Sequence, residues 1–167
     1  ELQNEVIVLY ADIIFEKKVV EELLNSPHEI SLIVDTNWRE NYVDRHDHPI
    51  EEAENVVFDE HFQVQRIGKI LGQDKTHVPG EFIGMMKLSG NGAWTLKNFY
   101  HSSKRKYGEG AFQTAKTFRQ AYLTDIHQEM VDHGVTVTCV PIQNGWKEID
   151  TIEDFNQAKS LYPSMWG

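Results

Sequence analysis

Cysteine is nearly missing from this sequence. Cys139 is the one thiol in 167 residues, so an intrachain disulfide is excluded and a reducing compartment, the cytoplasm, is the expected setting. Positive charge is scarce as well. Lys and Arg number 16 against 26 Asp and Glu, for a formal net charge of -10. The basic residues form no run, which argues against general binding to nucleic acid or to an anionic membrane. A small anionic substrate remains open, because a few local cations can hold a phosphate on an acidic protein. No segment approaches the roughly 18 consecutive apolar residues of a membrane helix, and no signal-peptide pattern is present. Repeats and low-complexity tracts are lacking. Ser102, Ser103 and Cys139 have no paired base in the sequence, so acyl-transfer chemistry is unsupported.

What is present alternates between strand and helix patterns, which predicts an α/β domain. Residues 5–10 read as a buried strand, 16–25 as a helix ending before Pro27, and 30–35 as a second apolar strand. That order predicts the kind of connection that links parallel strands. Residues 36–54 show no period and read as a long loop, a length usually tied to function or disorder. A hairpin is predicted from 55–58 and 63–67, a loop over 68–80, and a strand over 81–88 interrupted by Gly84. Helices follow at 89–107 and 114–133, the latter capped by Gly134. A strand at 135–142 turns at Gln143-Asn144-Gly145 into an acidic motif, and a helix over 151–161 closes the chain.

The acidic motif is Gly145-Trp146-Lys147-Glu148-Ile149-Asp150-Thr151. On a strand, Glu148 and Asp150 share a face while Ile149 turns to the core. Two carboxylates aimed at one spot repel unless a cation or a shared proton lies between them. Asp12 ends the first strand, where ligands gather in open α/β sheets, and with the later pair it could hold Mg²⁺. By position alone Asp12 reads first as a turn or helix cap, and Thr151, Glu153 and Asp154 read as a capping arrangement. Capping leaves Glu148 unexplained.

Further binding candidates are open to two readings each. Arg39 could fork onto a phosphate or stay solvated. Trp38 and Tyr42 could face a cationic amine or anchor the loop. Lys69 and Lys87 are phosphate candidates or surface charges. Gly84 marks either close approach to a ligand or a bulge. Asp125 could meet an ammonium group or stand on a helix surface. His46-Asp47-His48 lacks a clear third or fourth zinc ligand and reads as solvated loop histidines.

Several motifs occur in a telling order: Leu9-Tyr10-Ala11-Asp12-Ile13, Asp35-x-x-Trp38-Arg39-x-x-Tyr42, His48-Pro49-x-x-Glu52-Ala53-Glu54, Gly80-Glu81-Phe82-Ile83-Gly84, and the acidic motif. Together they resemble the nucleotidyltransferases of the sugar-nucleotide pyrophosphorylase superfamily. The nearest branch comprises cytidylyltransferases of small phosphonates or phosphate esters, including the domain fused to phosphoenolpyruvate mutase. The resemblance implies a Rossmann-like mixed sheet with flanking helices and a single nucleotidyltransferase domain over 1–167. It implies transfer of CMP from CTP to an acceptor such as 2-aminoethylphosphonate or phosphocholine, with release of pyrophosphate. It assigns Asp12, Glu148 and Asp150 to Mg²⁺ and to catalysis, and places the Glu81 segment beside the acceptor. Trp38, Arg39 and Asp125 complete the expected substrate contacts.

One departure stands out. The family normally opens with a Gly-rich loop carrying an Arg and a following Lys, and nothing in residues 1–11 supplies it. Ala11 also replaces a usual Gly, where a methyl crowds a close nucleotide. The expectation is therefore a domain lacking its N-terminal part. The sheet edge so left open would favour a homodimer. Two alternatives follow: a non-catalytic remnant that binds a ligand or packs as a subunit, and a sugar-1-phosphate nucleotidyltransferase.

Overall fold

The computed structural model describes residues 4–69 and 79–161, so most of the loop expected at 68–80 lies outside the described residues. The elements in chain order are β1 (Val6–Leu9), β2 (Ile13–Phe15), α1 (Lys17–Asn25), β3 (Ile30–Asp35), β4 (Asn55–Phe58), β5 (Val64–Gly68), β6 (Gly80–Leu88), α2 (Gly90–Tyr107), α3 (Leu123–Asp132), β7 (Thr138–Ile142), β8 (Trp146–Glu148) and α4 (Ile152–Leu161). Strands β5-β4-β6-β3-β7 form the main sheet in that order, with β1 also paired to β6, and β2 and β8 form a separate antiparallel ribbon. This is the mixed α/β architecture the sequence implies.

Strand β3 is buried on both faces, which is why it carries the apolar run Leu32-Ile33-Val34. Ile30, Leu32 and Val34 face one core with Ala93 of α2 and Met130 of α3. Ile33 faces a second core with Val19 and Leu23 of α1 and Trp146 of β8. Val19 and Leu23 are four residues apart and so present one helical stripe to the sheet.

The β1–α1–β3 passage does link parallel strands, but not neighbours: β1 and β3 each pair antiparallel with β6, which runs between them, and the paired parallel partner of β3 is β7. Two expectations are corrected. Strand β1 is half exposed rather than buried, with Ile7 and Leu9 open to solvent. The helix expected over 114–133 is confined to α3. Before it, Phe112 and Phe118 stack at 5.1 Å and Phe112 meets Tyr107 at 4.9 Å, so aromatic packing holds that stretch in turns.

Gly84 is not a break. Strand β6 runs through it at φ +77, and a Cβ there would lie 2.2 Å from the Tyr10 ring. Between the Leu32–Met86 and Val34–Phe82 pairs β6 carries two surplus residues, a bulge opposite β3. The bulge seats Tyr10 against β6, with Tyr10 N–H donating to the Gly84 carbonyl at 2.9 Å.

Candidate functional site

The site lies where β1, β6, β8 and the 36–54 loop meet. After Tyr10 the chain turns through Asp12 into β2, and the Ile149 N–H donates to the Asp12 carbonyl at 2.8 Å. Ile13 stands opposite Glu148 in the β2–β8 register. This ribbon brings the first acid beside the late pair, although they are far apart in sequence. Asp12, Glu148 and Asp150 all line one cavity of about 230 Å³.

A buried ion pair holds that arrangement. Arg45 is read from sequence only as part of the loop, yet its guanidinium reaches Asp154 with Nε–Oδ1 at 2.6 Å and Nη2–Oδ2 at 3.0 Å. The same Nη2 donates to Glu148 Oε2 at 3.3 Å. Asp154 also accepts from the N–H groups of Asp150 and Thr151 and from the Thr151 hydroxyl, while its own N–H donates to Thr151 Oγ1. The capping role expected for Thr151 and Asp154 is therefore present, and the cap doubles as the anchor of the acidic turn. Burial opposes the charge on Asp154, but Arg45 and Thr151 outweigh it and hold the carboxyl below its ordinary value. Glu153 instead accepts from the backbone N–H groups of His46 and Asp47 at 2.7 and 3.0 Å.

His48, read from the sequence as a solvated loop histidine, is instead largely buried beside the acids. Its Nδ1 lies 2.8 Å from Asp150 Oδ2 and its Nε2 lies 3.9 Å from Glu148 Oε2. His48 finds its two companion groups at the opposite end of the chain, while His46 pairs with Glu153. The signals in the sequence were His48-Pro49 within the ordered motifs and the His46-Asp47-His48 cluster itself.

Buried acids form the floor. Tyr42 donates to Glu81 Oε1 at 2.5 Å, while Glu81 Oε2 is buried with no hydrogen-bond partner among the described residues. Burial, aided by the charges of Glu148 and Asp35, pushes the Glu81 carboxyl up to about 8. Glu54 accepts from Tyr10 at 2.9 Å and Thr124 at 3.2 Å, and burial raises its value as well. Burial first, then Asp150, raises Glu148. At the rim Lys69 pairs with Glu52 at 2.7 Å and sits 4.5 Å over the Tyr122 ring. Six carboxyl side chains thus face two basic groups, His48 and Lys69, around the cavity.

Other sequence candidates fall elsewhere. Trp38 is a buried anchor with Arg39 stacked 4.4 Å from its ring centre. This pair lines a neighbouring groove that shares Lys69 with the acidic cavity. Asp125 is buried rather than on a helix surface, and it accepts from Thr114 N–H, Thr114 Oγ1 and Tyr122 N–H. Its oxygens are spent on capping α3, and it does not line the cavity. Lys87 is likewise corrected: its ammonium is buried against the carbonyls of Leu24 and Ser26. A larger cavity of about 550 Å³ lies between α2 and α3, lined by aromatic side chains including Tyr100, Phe112 and Tyr122 and by none of the three acids.

Glu81 gives a stability prediction. Unfolded, the carboxyl ionises near 4.5; folded, it keeps its proton to about 8. Between those limits the native state binds the extra proton, so this group's contribution to stability falls as pH rises. Glu81→Gln removes the term. Urea unfolding should show the variant gaining on the wild type by up to about 1.4 kcal/mol per pH unit across that window. Parallel pH profiles would overturn the assignment.

The donor set, the carboxylates of Glu148 and Asp150 with the His48 imidazole, suits a divalent cation. No protein-family model matches the chain. It is 25% identical over 154 residues to the CTP:phosphoglutamine cytidylyltransferase of Campylobacter jejuni, covering 92% of this chain and 58% of that protein. The chain thus spans little more than half the length of that relative. Among solved structures it resembles the inositol-1-phosphate CTP transferase from T. maritima, with a TM-score of 0.64, 20% identity, and coverage of 97% of this chain and 55% of the other. A protein described as a glucose-1-phosphate thymidylyltransferase from Bacillus anthracis, solved with sucrose, gives a TM-score of 0.59 and 15% identity over 95% of this chain and 55% of the other. The likeness to the nucleotidyltransferase superfamily implied by the ordered motifs therefore holds, and the fold is of that type.

Proposed function

We propose that this chain is a single nucleotidyltransferase unit that transfers CMP from CTP to a small phosphonate or phosphate ester and releases pyrophosphate. The observation that carries the reading is the shared cavity of Asp12, Glu148 and Asp150. The CTP-dependent transferases among its relatives support it. In the reaction an acceptor oxygen forms a bond to the α-phosphorus as the bond to the departing pyrophosphate breaks. The protein's task is mainly to position and to neutralise.

Asp12, Glu148 and Asp150 would hold Mg²⁺ or a similar dication, which supplies charge neutralisation at the phosphates when bound. Lys69 provides positive charge at the rim. Tyr10, Tyr42 and Tyr122, backed by Glu54 and Glu81, form a wall of aromatic faces and carboxyls suited to an ammonium group. That wall favours acceptors such as 2-aminoethylphosphonate or phosphocholine over neutral sugars. Trp38 and Arg39 border the extension of the acceptor path beyond Lys69. A reducing, nucleotide-rich compartment such as the cytoplasm fits the substrates and the buried Cys139, and among the described residues no helix is long and apolar enough to cross a membrane.

The test is pyrophosphate release from CTP with 2-aminoethylphosphonate, phosphocholine and hexose 1-phosphates, for this chain and for any longer polypeptide carrying it. Turnover with an amine-bearing acceptor is expected. Faster turnover with hexose 1-phosphates would move the reading to a sugar-1-phosphate enzyme. Silence with every nucleoside triphosphate would remove the enzyme reading.

A further inference from the structure

We propose that His48 is a direct ligand of the cation held by Glu148 and Asp150, and that its nitrogen biases the site toward a first-row transition-metal dication, Mn²⁺ ahead of Mg²⁺. This rests on the reading of those two carboxylates as metal-facing. One ligand atom from each of His48, Glu148 and Asp150 lies within 4.8 Å of the others, a spread that modest side-chain rotation brings onto one ion with bonds of about 2.1 Å.

The local electrostatics call for a cation. The imidazole turns both nitrogens toward acids, Nδ1 to Asp150 at 2.8 Å and Nε2 to Glu148 at 3.9 Å. A bare imidazole nitrogen and two carboxylates grouped this closely form a set of ligand atoms for one metal ion. Arg45 does not fill the role, because its charge is matched by buried Asp154. Glu81 Oε2 borders the same cavity, buried and without a hydrogen-bond partner among the described residues, so a polar atom there is left for a ligand to satisfy.

The ligands are also held in place. Arg45 braces Glu148, and Asp154 takes the N–H of Asp150. The Tyr42 ring lies 6.3 Å from His48. Oxygen-only sites suit Mg²⁺, whereas an imidazole nitrogen raises affinity along the transition series.

The experiment adds Mn²⁺ to the chain and follows bound ion by electron paramagnetic resonance, with spin-echo modulation reporting nitrogen coordination. Wild type should show imidazole coupling. His48→Gln should lose it and bind Mn²⁺ about tenfold more weakly, with Mg²⁺ affinity changed by less than about threefold. ¹⁵N-histidine labelling gives the same readout without a substitution, should the variant fail to fold. A nitrogen-free Mn²⁺ spectrum with unchanged affinity in His48→Gln overturns the role of His48 and leaves the carboxylate reading standing. Mn²⁺ affinity unmoved by both Glu148→Gln and Asp150→Asn, or no Mn²⁺ uptake at millimolar ion, overturns both.

Discussion

Asp12→Asn and Asp150→Asn should each lower kcat for nucleotidyl transfer by about 10²- to 10³-fold while leaving the urea midpoint within error of wild type. Both side chains are exposed enough to cost the fold little when neutralised. Asp150 makes one side-chain contact of note, to His48, and Asp12 ties down its turn through its backbone carbonyl rather than its carboxylate. Under the proposed function they help to hold the cation that offsets charge on the phosphoryl oxygens, and the loss of one such preorganised group typically costs that range of rate. The deficit belongs in kcat, because the interaction strengthens as the transition state forms. Rates within about threefold of wild type for both variants, with normal folding, would reject these carboxylates as catalytic groups.

The second large effect is on stability. Arg45→Met should destabilise the chain by about 3–5 kcal/mol, because it leaves the fully buried Asp154 charge without its guanidinium. At this size each kcal/mol lowers the melting temperature by about 2–4 °C, so a fall of roughly 6–20 °C is expected. Arg45→Met combined with Asp154→Leu should recover much of the loss, since removing both ends of a buried pair is commonly near neutral. The recovery stops short by about 1 kcal/mol because Thr151 loses its reciprocal cap. A single variant as stable as wild type would show that the pair is not holding the acidic turn.

The elements with strong local periodicity were legible in the sequence. Alternate acids ahead of a helix cap pointed to Glu148 and Asp150, and an acid at a strand end pointed to Asp12. What escaped were relations with no local signature. His48 and Arg45 sit in an aperiodic loop, and their partners are about a hundred residues away. β1 and β3 run parallel as read, but the insertion of β6 between them, from later in the chain, has no local signature. Residues 114–122 resemble a helix in composition, but Phe112 and Phe118 gain more from the aromatic cluster under α2 than from backbone pairing. Asp125 was visible as an acid on a helix, whereas its capping bonds to Thr114 and Tyr122 depend on a turn that composition does not announce.

The surplus residues at Gly84 divide β6 into two lengths with separate neighbours on one side, Gly80 and Glu81 against β4 and Met85 to Leu88 against β1. Each length can thus be altered in sequence without forcing a slip in the other. A descendant of this chain can reshape the Glu81 end of β6 while the end that positions Tyr10 and leads to Asp12 stays in register. The two sides of the acidic cavity are thus carried on one strand with a joint between them.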